Sequence, residues 1–358
     1  MNAPAPSDLA PLLLSWYDEA GRTLPWRGID DLYKILVSEL MLQQTRVHTV
    51  LGYFDRFLDR FPDVETLASA SEEEVMAAWS GLGFYRRARN LHRAAQLIVS
   101  DHQGLVPEDP VVLQTLPGIG RYTAGAILSS GRNAKLPILD GNVIRVLARV
   151  YSIDAPPDRA ATLKTLWKLA EDILPDDRPG DFNQAIMDLG ATVCRHPSPH
   201  CSLCPFQPLC TSSANGTSEE FPLPGRATRV KHVERVALLR LGEDGRFALQ
   251  RRPAKGLLAG LWELPSADRI EHMSPEEQAQ ALSPGGSVQF CGTVEHRFSH
   301  RHWTIQVFAG LEAPSSPSQA QSEESCRVSR EGLDELGVPR VSLKTIDCAL
   351  KKLGIPAT

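Results

Sequence analysis

Hydrophobic residues repeat with a helical period from residue 8 to about residue 211. Apolar side chains recur three or four positions apart, the spacing of one helix face, and the longest such run predicts a helix over 31–61. Ser71 is a potential N-cap followed by three glutamates, so another helix is predicted to begin there. Other helical runs cover 85–100, 120–131, 141–151, 158–173 and 181–193. This half of the chain is predicted to be all-α.

The pattern changes after Cys210. Residues 211–231 are rich in Ser, Gly and Pro and have the composition of a linker. Beyond them, β-like runs cover 233–241, 246–251, 260–264, 288–295 and 303–311, and helical runs lie near 329–336 and 343–353. We therefore predict a multi-domain protein, with an all-α domain over 8–210, a linker over 211–231 and an α+β domain over 232–355.

Composition bounds the partners that such a protein can have. The 358 residues are 42% hydrophobic and 23% charged, which excludes an intrinsically disordered chain. The net charge of −5 argues mildly against a nucleic-acid partner, so any site for a polyanion has to be a local basic patch. No membrane-spanning run or secretion signal is recognisable, and an odd number of cysteines, seven, favours a reducing cytoplasmic location.

Four of the cysteines form the most specific motif in the chain. Cys194, Cys201, Cys204 and Cys210 are spaced C-x6-C-x2-C-x5-C, so their thiolates can surround one metal centre. Four unligated core cysteines at this density have no packing rationale. Structural zinc usually uses two close Cys-x2-Cys arms, and here there is one such arm. The spacing therefore favours an iron–sulfur cluster over zinc.

Two carboxylates are candidates for acid and base chemistry. Glu39 has no basic residue three or four positions away on the predicted helix, so it is either a solvent-facing residue or a desolvated acid with a raised pKa. Asp140 precedes the helical run at 141–151, where it is either an N-cap or a catalytic carboxylate. A desolvated acid and an ionised carboxylate together make the pair that glycosidic cleavage requires.

A glycine-containing turn separates two of the predicted helices. In Leu116–Gly120, LPGIG, Gly118 and Gly120 allow a tight turn whose backbone N–H groups can bind a phosphate. A plain helix–helix connection is the alternative interpretation.

These motifs resemble those of one family of DNA-repair enzymes. The cysteine spacing and the LPGIG turn are similar to those of the endonuclease III and MutY superfamily of helix-hairpin-helix DNA glycosylases, and the octapeptide SELMLQQT at 38–45 is similar to the MutY branch. The resemblance covers most of residues 8–311. It implies that the four cysteines hold a [4Fe-4S] cluster, which orders a loop that meets DNA.

The resemblance also implies roles for the residues of the catalytic site. Glu39 is expected to protonate adenine and Asp140 to stabilise the cationic sugar, while Asn142 helps to hold water or phosphate. Tyr122 stands where the lyase branch carries its Schiff-base lysine. A tyrosine cannot form an imine, so β-elimination is expected to be absent or weak.

DNA contacts are implied at several further positions, because a glycosylase has to flip the target base out of the duplex. The candidates are Arg27, Gln44, Leu82, Tyr85, Gly118 and Gly120. Core packing is the alternative for two neighbouring aromatic residues, and it is favoured for Phe84 over Tyr85. Arg86, Arg87, Arg89 and Arg93 form a local basic run whose alternative is a solvated helix face.

The second domain carries a loop that resembles the 8-oxoguanine-sensing loop of MutY C-terminal domains, namely Phe298, Ser299 and His300. Residues 256–265 resemble the MutY version of a Nudix-like domain. The Arg-Glu-x-x-Glu-Glu box of the pyrophosphatases does not follow, so the domain is expected to bind and not to hydrolyse.

The predicted function is that of a monomeric, monofunctional glycosylase that removes adenine opposite 8-oxoguanine or guanine in double-stranded DNA. Two alternatives remain: an endonuclease III-type lyase for oxidised pyrimidines, opposed by Tyr122 and Glu39, and a non-catalytic iron–sulfur protein that binds lesions.

Overall fold

The computed structural model describes residues 4–226, 229–282, 287–312 and 324–355. Two compact units make up the chain. The first joins Met1–Ser69 to Asn90–Ala227, and the second joins Ala70–Arg89 to Thr228–Thr358. No helix in the described part of the chain is long and apolar enough to cross a membrane.

The first unit is helical, as predicted. Its core is formed by buried apolar side chains from several helices, among them Leu13, Leu147 and Ile186. The helices of the chain up to residue 214 are α1 Pro6–Ala20, α2 Leu32–Leu42, α3 Val47–Arg60, α4 Val64–Ser69, α5 Glu72–Ala78, α6 Arg86–His102, α7 Pro110–Leu113, α8 Arg121–Arg132, α9 Gly141–Val150, α10 Ala160–Asp172, α11 Pro179–Thr192 and α12 Thr211–Ala214.

The prediction of one helix over 31–61 is wrong, because the chain turns between α2 and α3. Asp31 caps α2 by accepting hydrogen bonds from the backbone N–H groups of Tyr33 and Lys34. Gln44 adopts a left-handed conformation with φ 57°, which ends the helical path after Leu42. The turn leaves Gln44 exposed.

The second unit contains a seven-stranded mixed sheet with the order β3-β2-β1-β6-β5, in which β4 pairs with β1 and β7 with β2. The long strands β1 and β6 run parallel, and β5 pairs antiparallel with β6. The α+β prediction is confirmed. The strands are β1 Lys231–Leu241, β2 Phe247–Arg251, β3 Trp262–Glu263, β4 Ser266–Asp268, β5 Gln289–Arg297, β6 Arg301–Leu311 and β7 Ser325–Val328, with helices α13 Pro275–Leu282 and α14 Arg340–Lys352.

The boundaries of the two units differ from the predicted boundaries 8–210, 211–231 and 232–355. Residues 70–89 belong to the second unit, where the hydroxyl groups of Ser80 and Tyr85 donate to the carbonyl oxygen of Val338 at 2.7 and 3.2 Å. Most of the predicted linker belongs to the first unit. The Arg149 guanidinium binds the Phe221 carbonyl there, at 3.0 Å, and residues 227–228 lie outside the described residues.

Candidate active site

A cavity of about 1970 Å³ opens among α2, α8, α9 and α11 of the first unit. The four residues predicted to be catalytic, Glu39, Asp140, Tyr122 and Asn142, all line it. They come from the last turn of α2, the first turn of α8 and the N-terminal end of α9. Residues distant in the sequence therefore share one site.

Glu39 is buried in this cavity, with a relative exposure of 6%, so the interpretation as a solvent-facing residue is wrong. Burial raises the pKa of its carboxyl to about 7, and the nearby charge of Asp140 acts in the same direction. A hydrogen bond from Tyr122 and the charge of Arg27 partly oppose this rise. The predicted raised pKa is confirmed, and near neutral pH the group can hold and release a proton.

Asp140 combines the two roles that the sequence leaves open. Its Oδ1 accepts hydrogen bonds from the N–H groups of Asn142 and Val143 at 2.9 and 2.8 Å, so it is the N-cap of α9. Its Oδ2 accepts from the Asn142 side-chain amide at 2.9 Å. Burial raises the pKa of Asp140, while these hydrogen bonds and the charge of Arg145 oppose the rise. Desolvation therefore acts on both carboxyls, whereas the sequence predicted it for Glu39 and predicted an ionised carboxylate for Asp140.

Tyr122 contacts Glu39 inside the cavity. Its hydroxyl lies 3.4 Å from Glu39 Oε2 and 3.5 Å from the sulfur of Met187. Burial, together with the charges of Glu39 and Asp140, raises the pKa of the phenol well above its ordinary value, so the group stays protonated. Among the described residues that line the cavity there is no lysine.

Arg27, predicted to contact DNA, lines the cavity but is ion-paired inside the protein. Its guanidinium donates to both carboxylate oxygens of Asp188 at 2.7 and 2.8 Å, and Arg22 binds the same carboxylate. Asp188 is fully buried on α11, and the arginines hold its pKa below its usual range although burial opposes this. The pair fixes Arg27 beside the cavity, where its charge acts on Glu39.

The border of the cavity carries the local basic patch that the net charge obscures. Two carboxylates line the cavity, and both belong to the pair predicted to be catalytic. The basic side chains among the lining residues are Arg22, Arg27, Arg46, Arg145, Arg195 and His196. This surplus of positive charge is suited to the phosphates of a bound strand.

Arg145 connects Asn142, in the first turn of α9, to the cysteine loop, the segment 194–210 that carries the four clustered cysteines. Its guanidinium donates to the Asn142 side-chain oxygen at 2.9 Å, the Gly190 carbonyl at 2.6 Å and the Cys194 carbonyl at 2.7 Å. One turn further along α9, Arg149 lies 3.3 Å from the Cys194 sulfur and binds the Arg195 carbonyl at 2.8 Å. Helix α9 therefore carries Asp140 and Asn142 at its N-terminal end and binds the cysteine loop through its arginine side chains.

Gln44 and the glycine turn lie on the exposed side of the same unit. Gly118 has φ 82°, and a Cβ atom there would lie 2.9 Å from Asn90, so glycine is required. Gly120 is the N-cap residue of α8, whose first N–H groups have no acceptor within the helix. The Gln43 side chain lies 3.3 Å from the Gly118 carbonyl and joins the end of α2 to this turn.

Residues 82–85 lie in the second unit. The prediction that Phe84 packs in the core in preference to Tyr85 is wrong. Phe84 is exposed at 47%, whereas Leu82 and Tyr85 are buried at 6 and 5%. Leu82 and Tyr85, both predicted to contact DNA, are therefore core residues. Phe84 has φ 48°, and this left-handed turn directs its ring outwards.

The basic run after Phe84 is only partly a surface. Arg87 is buried, and its guanidinium stacks on the rings of Trp79 and Phe84. Arg89 binds the Glu72 carboxylate and the Ala259 carbonyl oxygen. Arg86 and Arg93 retain exposed side chains.

The four clustered cysteines line one small cavity of the first unit, with an empty volume of about 350 Å³. Cys194 and Cys210 are buried, and Cys201 and Cys204 are half-buried. No carboxylate lines this cavity among the described residues, and the buried Arg149 guanidinium lies beside Cys194. Four soft thiol donors with one neighbouring cation fit an anionic iron–sulfur cluster.

The side chains are not arranged around a metal as they stand. Among the described residues, no three His, Cys, Asp or Glu side chains are placed so that one metal ion could bind all of them. The fit to a cluster therefore rests on the donor chemistry and on the cavity that the four cysteines share.

Phe298, Ser299 and His300 form the turn between β5 and β6, as predicted. The Phe298 N–H donates to the Arg301 carbonyl at 2.7 Å, which closes the turn. The Phe298 ring packs against His296 and Trp303, with ring centroids 4.5 and 5.0 Å apart. The side chains of Ser299 and His300 are exposed, with Ser299 Oγ 3.3 Å from His300 Nδ1. The turn offers a hydroxyl and an imidazole on an aromatic base.

The cavity residues that the sequence does not predict include Arg46, Arg145, Gln184 and Met187. The last two lie three positions apart on α11 and so share a helix face. The signal for Gln184 is a polar side chain next to Asn183 in a largely apolar stretch of α11. Arg145 lies three positions after Asn142 on α9, and that spacing is its only signal.

Comparisons with known proteins agree with this arrangement. The model of the HhH-GPD superfamily base excision DNA repair proteins matches residues 37–172, and that of the NUDIX domain matches residues 235–348. The structure of a thermostable thymine-DNA glycosylase is 27% identical with a TM-score of 0.54, covering 59% of this chain and 97% of the other.

Two relatives match along most of their length. The adenine DNA glycosylase of Rattus norvegicus is 38% identical over 356 residues, covering 83% of this chain and 69% of the relative. That of Schizosaccharomyces pombe is 31% identical over 411 residues, covering 95 and 88%. The two domain matches lie in the same order as the helical site and the sheet described above. The chain belongs to the adenine DNA glycosylase family.

Proposed function

We propose that the protein removes adenine from double-stranded DNA by hydrolysing its N-glycosidic bond, and that it selects adenine paired with 8-oxoguanine or guanine. One observation carries the proposal: a buried carboxyl with a pKa of about 7, Glu39, shares a cavity with a second carboxyl, Asp140. Adenine is the base that the names of the two relatives state.

In this mechanism Glu39 donates its proton to N7 of the flipped adenine. The C1′–N9 bond then breaks, and its electron pair leaves with the base, now neutral because of the added proton. Asp140 stabilises the positive charge that develops on the sugar. Water adds to C1′ and loses a proton, which leaves an abasic site. Asn142 binds the Asp140 carboxylate and keeps it in place.

The reaction is expected to stop at the abasic site. A lyase needs an amine that forms an imine with C1′, and Tyr122 supplies a protonated phenol instead. The described lining residues contain no lysine that could replace it. This observation opposes the alternative of an endonuclease III-type lyase.

Recognition of the opposite base is assigned to the turn of Phe298, Ser299 and His300. Oxidation of guanine turns N7 from an acceptor into a donor and adds an oxygen at C8. The exposed Ser299 hydroxyl can both accept and donate, so it can respond to either change.

The cysteine loop is proposed to hold a [4Fe-4S] cluster through Cys194, Cys201, Cys204 and Cys210. Such a cluster would supply structural order to the loop that carries Arg195 and His196 on the border of the cavity. We further propose that the protein acts as a monomer in the cytoplasm.

The test uses duplexes that contain one adenine opposite 8-oxoguanine, guanine or thymine. Incubation followed by alkali is expected to cut the adenine strand opposite 8-oxoguanine and guanine, and incubation without alkali is expected to leave it intact. Cutting without alkali would favour the lyase, and binding without any cutting would favour a lesion-binding protein. Iron, sulfide and zinc analysis of the purified protein separates the cluster from zinc.

A further inference from the structure

Among the methionines of the described residues, Met187 is the one that lines the cavity with Glu39 and Asp140. Met41 and Met76 are buried at 0 and 3% exposure. Met187 and Met273 are half-buried, and Met273 belongs to the second unit. Because Met187 is only half-buried and lines a cavity that is partly open to solvent, small solutes can reach its thioether.

The sulfur of Met187 competes with Glu39 for one hydrogen bond. The Tyr122 hydroxyl has a single proton, and it lies 3.4 Å from Glu39 Oε2 and 3.5 Å from Met187 Sδ. A thioether is a weak acceptor, so the carboxyl is the stronger partner. A sulfoxide oxygen at the same place would be a strong acceptor.

We propose that Met187 is an oxidation site through which hydroperoxides switch off base excision. A sulfur lone pair attacks the outer oxygen of the peroxide, the O–O bond breaks, and a proton moves to the departing oxygen. The thioether is oxidised by two electrons to a sulfoxide, and the peroxide is reduced to water or an alcohol. Methionine sulfoxide reductases reverse such a step, so the switch is reversible.

Oxidation would disturb the site in two ways. The sulfoxide would take the Tyr122 hydrogen bond away from Glu39, so the acid would lose the contact that orients it. It would also place a polar oxygen on the cavity wall where the Met187 side chain packs against the hydrophobic core of the first unit. A planar base would then enter a more polar and narrower space.

The experiment treats the purified, cluster-containing protein with graded hydrogen peroxide. Peptide mass spectrometry follows the added oxygen at each methionine, and single-turnover excision is measured before and after treatment. Met187 is expected to oxidise before Met41 and Met76, and excision is expected to fall about tenfold with it. Sulfoxide reductase is expected to restore the rate.

Two variants separate Met187 from other targets of peroxide. Met187→Leu keeps a side chain of similar volume without sulfur, and each variant is compared with its own untreated rate. Met187→Leu is expected to keep its rate after treatment, while Met273→Leu is expected to lose it as the unsubstituted protein does. Cluster absorbance is recorded in every sample, because the cysteines are the same in all three proteins.

The inference is overturned if Met187 is oxidised and the rate is unchanged, or if Met187→Leu is inactivated to the same extent. Binding of substrate duplex to Glu39→Gln provides a readout besides activity, since DNA in the cavity should slow oxidation of Met187 but not of Met273. An untreated protein without excision activity would contradict the proposed function, whereas DNA protection of Met187 is measured independently of it.

Discussion

Glu39 in the first unit and Glu263 in the second are equally buried, each with 6% relative exposure, yet their pKa values move in opposite directions. Burial and the charge of Asp140 raise the pKa of Glu39 to about 7. Burial also acts against the ionised form of Glu263, but Arg235 and Arg252 outweigh it and hold its pKa below the usual range. Burial alone therefore does not decide what a carboxyl can do.

The difference lies in where each unit places its arginines. Arg252 donates to Glu263 at 2.6 Å, and Arg235 lies within 3.4 Å of it, so this carboxylate is neutralised in place. Beside the cavity of the first unit, Arg27 donates instead to Asp188 and acts on Glu39 only through its charge. A proton can be exchanged at the first carboxyl, while the second is fixed as part of the fold.

The largest expected effect is on excision. Glu39→Gln removes the acid and keeps the shape of the side chain, so single-turnover excision is expected to fall about 10³-fold while duplex binding persists. Glu19→Gln, an exposed position on α1, is the control and should excise normally. Excision by Glu39→Gln within tenfold of the unsubstituted protein would contradict the role of Glu39 as the acid.

The next effect is on stability and concerns Glu263. Glu263→Gln leaves the Arg235 and Arg252 charges without their carboxylate, so the free energy of unfolding is expected to fall by about 3–5 kcal/mol, measured by urea titration. Asp268→Asn removes an exposed partner of Arg235 and should cost less than about 1 kcal/mol. Equal losses of unfolding free energy in the two variants would show that the buried ion pair contributes no more to stability than the exposed one.

A smaller effect of opposite sign is expected for the stability of Glu39→Gln. Because the folded pKa of Glu39 is raised from 4.5 to about 7, the ionised carboxylate destabilises the fold as pH rises across this interval. At pH 8 Glu39→Gln should therefore be more stable than the unsubstituted protein, by on the order of 3 kcal/mol. Near pH 4 the difference should vanish, and a gain that does not depend on pH would point to packing instead.

The smallest effect is the slope of the rate with pH. A general acid has to be protonated, so single-turnover excision should fall about tenfold per pH unit above the pKa of Glu39, near 7. Protonation of Asp140 should lower the rate on the acid side. A rate that rises between pH 7 and 9 would exclude Glu39 as the proton donor.

Local patterns predicted the parts of the molecule that depend on local contacts. Ser71 does cap a helix, in a capping box with Glu74, and the turn of Phe298, Ser299 and His300 does join two strands. The absence of a basic residue three or four positions from Glu39 allowed a raised pKa to be predicted, because those positions form the helix face that surrounds its carboxyl. Motifs with a resemblance to a known family added the roles of the residues.

Non-local contacts explain what the sequence could not predict. Parallel pairing of β1 with β6 joins residues about seventy positions apart, and no local period reports it. Leu82 and Tyr85 became core residues because their segment packs in the second unit, although it lies between helices of the first. Arg145 reaches Cys194 across 49 positions, so its connecting role is visible only in the fold.

The two oxygens of the Asp140 carboxylate have different hydrogen-bond partners. Oδ1 anchors a helix through two backbone hydrogen bonds, and Oδ2 has the Asn142 amide as its partner. An asparagine at this position could still anchor the helix with its oxygen, but in the proposed mechanism its N–H dipole would point towards the cationic sugar. The helix would remain capped, but the partial charge that residue 140 presents to the reacting carbon would change from negative to positive. Helix capping thereby specifies which oxygen of Asp140 is available for chemistry.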